Sequence, residues 1–556
     1  MKGIAGILLF TILTCSPVTP KQMGYKVLKK ALIPHALAVS AAGGCRFHQA
    51  SASPVRILAS VAYFCSDPML KIYNSLSRSL EEFQPINPPF VGIYICGPTV
   101  YGPPHLGHVR GPIVFDVMRR HLNHLGFKTR FVRNITDVGH LVGDGNEGDD
   151  KLAKQAKIEQ IEPMEIAQLY TEKYNWAMRK VNVQSPDIEP RASGHIQEQI
   201  GMIEQMLANG FAYETGGNVY FEVAKFAKTH DYGKLSGRIL EDLLDGAGND
   251  ARQLEGQDIK KSPADFALWK KASPEHIMKW NSPWGVGYPG WHIECSAMSA
   301  KYLGQTFDIH GGGMDLLFPH HEAEIAQSKA ACGHAPAKYW LHHNMITING
   351  QKMAKSLNNG IMVSELFSGE NDLLEQAYSP MTLRFFVLQA HYRGTLDFSN
   401  AALQASEKGL KRMLEAAKIT TELSPSKTND YEVSDIENNI INAMNDDLST
   451  PQVIAHLFEA ARVANSVNGG QIMLNEDNIT KLNTIFDVYL FGILGIAKEK
   501  ENDSELLGNM VQLLINMRTE AKMNKNYALS DEIRDKLAAA GVQIKDSREG
   551  TTWTKN

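Results

Sequence analysis

Cysteine is scarce in this sequence, with six in 556 residues, and a chain of this length cannot rest on so thin a disulfide framework. Three of them, Cys15, Cys45 and Cys65, precede Met69, which leaves Cys96, Cys295 and Cys332 in the body, a pattern that fits a reducing compartment. An excess of charge is missing too: 56 basic against 61 acidic residues give a formal charge of -5. Such a chain has no overall pull on phosphate. A histone-like or tail-driven nucleic-acid binder is therefore excluded, and any RNA must be held by local basic patches. Charged residues at 21% and hydrophobic residues at 43% are ordinary globular values, which argues against wholesale disorder, a collagen-like chain and a polytopic membrane protein. At about 150 residues per domain, the length predicts three or four domains.

Acidic residues are absent before Asp67, while Lys21, Lys26, Lys29, Lys30, Arg46 and Arg56 are all basic. That is the composition of an organellar transit peptide. Lys2 followed by the apolar run Ile4–Leu13 also matches a secretory signal, and the run is too short to span a bilayer. A third reading is an upstream start, with Met69 as the true initiator. We favour it, together with a cytoplasmic location, because the chemistry carried by the body of the chain is cytosolic; if residues 1–68 are a genuine transit peptide the location is organellar.

From Met69 the pattern becomes regular. Phe90–Cys96 is an apolar, β-branched run of strand length stopped by Gly97-Pro98, Val109–Leu125 reads as a helix, and Thr129–Ile135 is a second strand after the Gly126 stop. Strand, loop, helix, strand is the unit of a parallel α/β sheet, whose ligands bind beyond the carboxyl ends of the strands. Residues 190–289, rich in Gly, Asp and Lys and carrying the turn cluster Asp245–Asp250, read as an insertion between the sheet halves. Alternating strand patterns return near Gly290 and near Tyr339. From Asn400 the pattern is helical, with a polar break at Ser424–Asp430, which predicts a bundle, and a last small unit begins near Glu505.

Two short motifs carry chemistry. His105-Leu106-Gly107-His108 opens the first helix directly after the first strand and its loop. Glycine lets backbone approach a ligand, a helix N-terminus favours anions, and imidazoles can donate to phosphoryl oxygens, so the junction suits a phosphate. Alone, four letters are as easily structural. Lys352-Met353-Ala354-Lys355-Ser356 lies in a polar stretch between Asn349-Gly350 and Asn358-Asn359-Gly360. Two lysines on one loop can neutralise charge on a leaving pyrophosphate, although taken singly they are a solvated basic loop.

Together, HxGH near the start of a parallel sheet and KMxKS at its end resemble the signature of the class I aminoacyl-tRNA synthetases. Cys96–Tyr101, Gly290–Met298, Phe307–Asp315 and Phe318–Gln327 resemble, more narrowly, the signatures of the cysteinyl-tRNA synthetase family. The resemblance covers essentially all of Met69 to Trp553. It implies an α/β fold, a Rossmann-like parallel-sheet catalytic domain with an insertion, followed by a mainly α-helical anticodon-binding region. The expected divisions are an N-terminal extension (1–68), the first catalytic half with HxGH (69–189), a connective insertion (190–289), the second catalytic half (290–345), the KMxKS loop and stem-contact region (346–400), a helical bundle (401–504) and a small C-terminal module (505–556).

His320 and Glu324 are four apart, a spacing that puts both on one helical face, and with Cys96 and Cys295 they form a set whose types suit zinc. The resemblance assigns these same four as ligands of one Zn2+ per subunit. His320 is chosen over His321 because only it precedes Glu324 by four, although His321 would serve if the helix began differently. Direct coordination of the substrate sulfur would separate cysteine from serine without editing. The resemblance further implies His105, His108, Lys352 and Lys355 as catalytic, ATP bound through His105, Gly107, His108, Asp315 and Lys355, and an amino-acid pocket lined by Thr99, Thr136 and Trp291. Asp315 and Thr136 could instead be turn caps, and Trp291 core packing. Ala354 departs from the commoner KMSKS, and Gly143–Asp150 reads as a solvated acidic loop inserted in the family's TDxDDK region.

Expected partners are L-cysteine, ATP with Mg2+, and tRNA(Cys), with no membrane partner and a monomeric state. Trp553, Arg518, Lys522 and Lys525 are candidate platforms for unstacked anticodon bases. Two rivals compete with this reading: a cysteine ligase of the same ancestry that uses an amino sugar as acceptor, and a catalytically dead RNA-binding paralogue. The long helical tail argues against the first and the intact motifs against the second.

Overall fold

The computed structural model describes residues 69–138, 151–159, 161–239, 260–274, 276–353, 357, 359–497, 501–547 and 550–555. The expectations for residues 1–68, for the acidic segment 143–150, and for Ala354, Lys355 and Ser356 lie outside these residues. All the described residues belong to the unit that begins at Pro68.

Four parallel strands make the central sheet, in the spatial order Ala337–His343, Phe307–Gly313, Phe90–Ile95, Lys128–Arg133. Phe90–Ile95 is central and pairs on both sides, with Ile93 opposite Phe131 on one neighbour and Ile309 on the other. Val91, Ile93, Tyr94 and Ile95 are buried, so both faces of its carboxyl half are covered, which is why it reads as a continuous apolar run rather than an alternating one. Ile93 and Ile95 join the core under the helix Gly107–His124, while Tyr94 joins a second core with Met298 and Trp340. The chain leaves the central strand toward Lys128–Arg133 and later returns on its other side at Phe307–Gly313. The order of the strands reverses there, so the crevice beyond Ile95 and Gly313 is the switch point at which ligands of such sheets sit.

Between the sheet halves lie the helix Ile196–Ala208 and an antiparallel sheet of Ala212–Thr215, Asn218–Phe221, Phe266–Lys271 and Gly287–Pro289. Gly216 and Gly217 hold φ of 59° and 82° in the two-residue turn that joins its first two strands, the left-handed pair that a tight hairpin demands. Near Gly290 the expected strand pattern amounts to Gly287–Pro289 alone, because Trp291–Leu303 is a helix. His292 to Ser299 are buried all round it, so no polar face marks it in the sequence. The strand expected near Tyr339 is Ala337–His343.

After the sheet, the helices Asn400–Glu422, Ser434–Asn445, Thr450–Asn468 and Glu476–Ile485 pack through buried positions such as Leu410, Met413, Leu457, Ala461 and Leu482. Ser399 and Asn475 cap two of them by accepting from Ala402 N–H and Asn478 N–H. Arg384, fully buried, ties the bundle to the sheet. Its guanidinium pairs with Asp116 at 2.6 Å and donates to the carbonyls of Leu494 at 2.6 Å and Val181 at 2.8 Å. The C-terminal helices Glu501–Met523 and Tyr527–Ala539 and the hairpin Val542–Ser547 with Gly550–Lys555 enclose a small core of Val511, Ile515, Ile533, Leu537 and Val542. Trp553 packs against that core, and Arg518 is only 6% exposed, so it is not the open guanidinium platform expected from the sequence. Among the described residues, no helix is long and apolar enough to cross a membrane.

Candidate active site and metal centre

A cleft of about 240 Å³ opens over the carboxyl ends of the sheet strands. Cys96 follows the central strand, Asn134 and Thr136 follow Lys128–Arg133, Asp315 follows Phe307–Gly313, and His343 ends Ala337–His343; all line the cleft with Thr99, Gly107, His108, Trp291, Cys295 and His320. The turn after the central strand is so tight that a Cβ on Gly97 would sit 1.6 Å from the Asn134 carbonyl oxygen. Glycine alone permits that approach. Gly97 N–H in turn donates to Asn134 Oδ1 at 2.9 Å, which fixes Cys96 at the rim.

At one end of the cleft the structure brings together Cys96, Cys295, His320 and Glu324, whose ligand atoms all lie within 4.8 Å of one another. Cys96 and Cys295 Sγ are 3.7 Å apart, Cys96 Sγ is 3.7 Å from Glu324 Oε1, and His320 Nε2 is 3.2 Å from that same oxygen. Three segments meet here: the end of the central strand, the helix Trp291–Leu303, and the chain entering the helix Glu322–Cys332. Burial pushes both thiols up, Cys96 most strongly, and for both the neighbouring Glu324 carboxylate adds to the effect. Two thiols and a carboxylate crowded out of water call for a compensating cation. A borderline divalent ion with sulfur, nitrogen and oxygen ligands is the chemistry that fits.

An outer ring of residues orients this set, and the sequence marks few of its members. His320 Nδ1 is 3.0 Å from His292 Nδ1, and its ring lies 4.4 Å from that of Trp291. Glu324 Oε2 is 2.7 Å from His310 Nε2. Thr136 Oγ1 donates to Glu294 Oε2 at 2.9 Å and accepts from Asn134 Nδ2 at 3.1 Å, so Thr136 holds the wall as well as lining it. His321 and His342, 2.8 Å apart nitrogen to nitrogen, are buried and kept neutral: burial drives His321 well below the usual imidazole range and His342 down to about 3. His292, Glu294 and His310 lie within the signature segments, yet their types alone give no sign of which turn inward.

At the other end, both histidines of HxGH are fixed by backbone. Gly107 N–H donates to His105 Nδ1 and His105 N–H donates to His108 Nδ1, each at 3.1 Å. With Nδ1 accepting, the hydrogen of each neutral ring sits on Nε2. Burial beside His105 pushes His108 down to about 3, so it is a neutral donor at physiological pH. A Cβ on Gly107 would meet the His105 ring at 2.9 Å and Met353 Cε at 3.1 Å. The start of the KMxKS segment therefore rests on the HxGH glycine, and Leu106 N–H and Val363 N–H bond across to the Ile361 and Pro104 carbonyls. Lys352 is exposed on the short strand Gln351–Lys352. Asp315 is exposed and folds back over Gly313, where a Cβ would meet its Oδ1 at 2.3 Å.

Comparison with known proteins agrees with this geometry. Residues 82–408 match the family model of the class I (C) tRNA synthetase catalytic domain, and residues 439–498 match that of the DALR domain. The chain is 55% identical over 490 residues to the cysteine-tRNA ligase of Porphyromonas gingivalis, covering 88% of this chain and 99% of that protein. It is 56% identical over 492 residues to that of Phocaeicola vulgatus, with 88% and 99% covered, and 47% identical over 503 residues to that of Chlorobaculum tepidum, with 87% and 99% covered. In fold alone it resembles a Mycobacterium tuberculosis methionyl-tRNA synthetase bound by methionyl-adenylate, with a TM-score of 0.50 at 12% identity over 74% of this chain and 92% of that one. A parallel sheet with HxGH at its switch point, a helical DALR region and relatives matched from end to end lead to one conclusion: the chain belongs to the cysteine-tRNA ligase family of class I synthetases and is a ligase that forms an aminoacyl-tRNA.

Proposed function

We propose that the enzyme activates L-cysteine with ATP and passes the cysteinyl group to the terminal adenosine of tRNA(Cys), with a zinc ion held by Cys96, Cys295, His320 and Glu324. The observation that carries this is the placement of that donor set at one end of a cleft whose other end is HxGH. When bound, zinc supplies a Lewis acid that favours a thiolate over a hydroxyl. The chain's own residues do the rest. Trp291 and Thr136 wall the amino-acid end, and their rigid placement orients the substrate carboxylate toward the α-phosphorus. An oxygen of that carboxylate forms the bond to phosphorus as the bond to the pyrophosphate oxygen breaks. His105 and His108, with hydrogen on Nε2, donate to phosphoryl oxygens and bring no charge that must be desolvated. Lys352 and Lys355 balance the charge on the departing pyrophosphate, for which Mg2+ is the expected counter-ion. Gly107 leaves room for the nucleotide, and Asp315 holds the ATP ribose or the substrate amine. A hydroxyl of the tRNA's terminal adenosine then attacks the carbonyl of the adenylate and AMP leaves. We assign the bundle over residues 401–504 and the module over 505–556 to tRNA and anticodon contacts.

The test is ATP–pyrophosphate exchange across the standard amino acids, followed by addition of total tRNA or of an amino sugar. Exchange with cysteine alone and charging of tRNA is the expected result; charging of an amino sugar instead would overturn the acceptor assignment. In the Cys295→Ala variant, bound zinc and the preference for cysteine over serine should fall together. Retention of both would remove Cys295 from the ligand set.

A further inference from the structure

Glu324 faces two sets of donor atoms rather than one. Its Oε1 lies toward His320 Nε2 and Cys96 Sγ, at 3.2 and 3.7 Å, while its Oε2 is 2.7 Å from His310 Nε2. His321 Nε2 lies 3.3 Å from Cys96 Sγ and 3.9 Å from Glu324 Oε1. The donor atoms of Cys96, His310, His321 and Glu324 all fall within 4.8 Å of one another, the same gathering as in the first set. The two sets share Cys96 and Glu324, and these are ligand types that bridge: a carboxylate gives one oxygen to each ion, and a thiolate sulfur has lone pairs for both.

We propose that Cys96, His310, His321 and Glu324 form a second, weaker site for a zinc-like divalent ion, sharing two ligands with the first, and that filling it inhibits the enzyme. The proposal rests on the reading of the first set as a zinc site. His321 is backed as a metal-ligating histidine needs to be: its Nδ1 is 2.8 Å from His342 Nε2, and His342 Nδ1 is 2.8 Å from Ser75 Oγ. With His342 Nδ1–H donating to Ser75, His342 Nε2 accepts from His321 Nδ1–H, and His321 Nε2 is left bare toward Cys96 and Glu324. His310 is held flat against Trp340, ring centroids 4.5 Å apart. Its Nδ1 is buried with no hydrogen-bond partner. Ligation through Nε2 would leave a hydrogen stranded there, which makes this the weaker set.

Charge does not forbid double occupancy. Cys96, Cys295 and Glu324 carry three negative charges when ionised, so one divalent ion leaves the centre one unit negative and two leave it one unit positive. The cleft is lined by Cys96, Cys295 and His320 but by neither His310 nor His321. The second ion therefore sits behind the first, out of reach of the substrate sulfur, and acts by drawing Cys96 and Glu324 back from the cleft.

The experiment is equilibrium dialysis of the full chain against buffered free zinc, with metal counted by mass spectrometry, cobalt(II) absorption read alongside, and pyrophosphate exchange measured at each point. Bound zinc should rise from one to two per chain, and exchange should fall about tenfold or more over the second step. A weak chelator should reverse both changes. His310→Gln and His321→Asn, which also remove outer-ring contacts to the first set, should bind no more than one zinc and show no second inhibitory step, while a second cobalt should add thiolate charge-transfer absorption only in the unaltered chain. Saturation of the unaltered chain at one zinc, or a second zinc that both variants retain, overturns the proposal. No bound zinc at any concentration would instead overturn the zinc reading itself.

Discussion

Arg110 offers the sharpest test of how the two signature motifs are held together. It follows HxGH by two residues, is 1% exposed, and faces no carboxylate in its hydrogen bonds. Its guanidinium instead donates to four backbone carbonyls, those of Asn344 at 2.9 Å, Met345 at 2.6 Å, His391 at 3.1 Å, and Gly394. Burial lowers its pKa to about 10, which still leaves it charged at neutral pH. Asn344 and Met345 immediately precede the strand Ile346–Ile348, which pairs with Gln351–Lys352, so this one side chain pins the root of the KMxKS hairpin to the HxGH helix. Arg110→Met keeps most of the stem and removes every donor. A hydrogen bond from a charged donor is worth about 1.5–3 kcal/mol, and the four are not additive because burying the cation has its own cost. A local loss of about 3 kcal/mol is therefore expected, or roughly 150-fold in an opening equilibrium. Hydrogen–deuterium exchange on peptides covering residues 344–352 and 391–398 reads that quantity locally, which a global melt of a multidomain chain would blur. Acceleration of about 150-fold in those peptides, with little change in the C-terminal module, is the expected result. Acceleration under about fivefold, less than 1 kcal/mol, would refute the clamp.

His121 makes stability depend on pH. It is 2% exposed, 3.1 Å from Asn445 Oδ1 through Nε2, and burial pushes its pKa down to about 4. An unfolded histidine takes up a proton near pH 6.5, which the folded one refuses, so stability is lost as pH falls from about 6.5 to 4, by about 3 kcal/mol for this group. His121→Leu should flatten that part of a urea-midpoint profile, and an unchanged slope would count against it. Arg384→Met should lower the thermal midpoint, because it leaves the Leu494 and Val181 carbonyls without their donor and takes one of two arginines from Asp116, which keeps Arg120 at 2.8 Å; the cost expected is about 2–3 kcal/mol. Pairing it with Asp116→Asn in a double-mutant cycle should show non-additive losses; additive losses would mean that the ion pair contributes nothing of its own.

Much was legible in the chain itself. Covalent order and residue type fix HxGH immediately after an apolar strand, the lysines of KMxKS, the His320–Glu324 spacing, and the turn glycines, because a parallel strand buried on both faces and a glycine that must approach backbone each leave a local mark. The bundle was readable for the same reason: Leu403, Leu410 and Met413 recur at helical intervals because one face must be dry. What the sequence could not decide was anything that depends on direction in space. The helix beginning at Trp291 carries no amphipathic stripe, since it is buried all round, and so left no helical mark in the sequence. Arg518 looked like a surface cation and is buried. Cys96 and Cys295, 199 residues apart, come within 3.7 Å only because strand order reverses beside the central strand and brings the Trp291 helix over its end. The same folding turns His310 onto Oε2 of Glu324 and His320 onto Oε1, with His321 beside Cys96. Spacing along a chain sets which side chains share a face; which faces meet is set by long-range packing of the sheet and its helices.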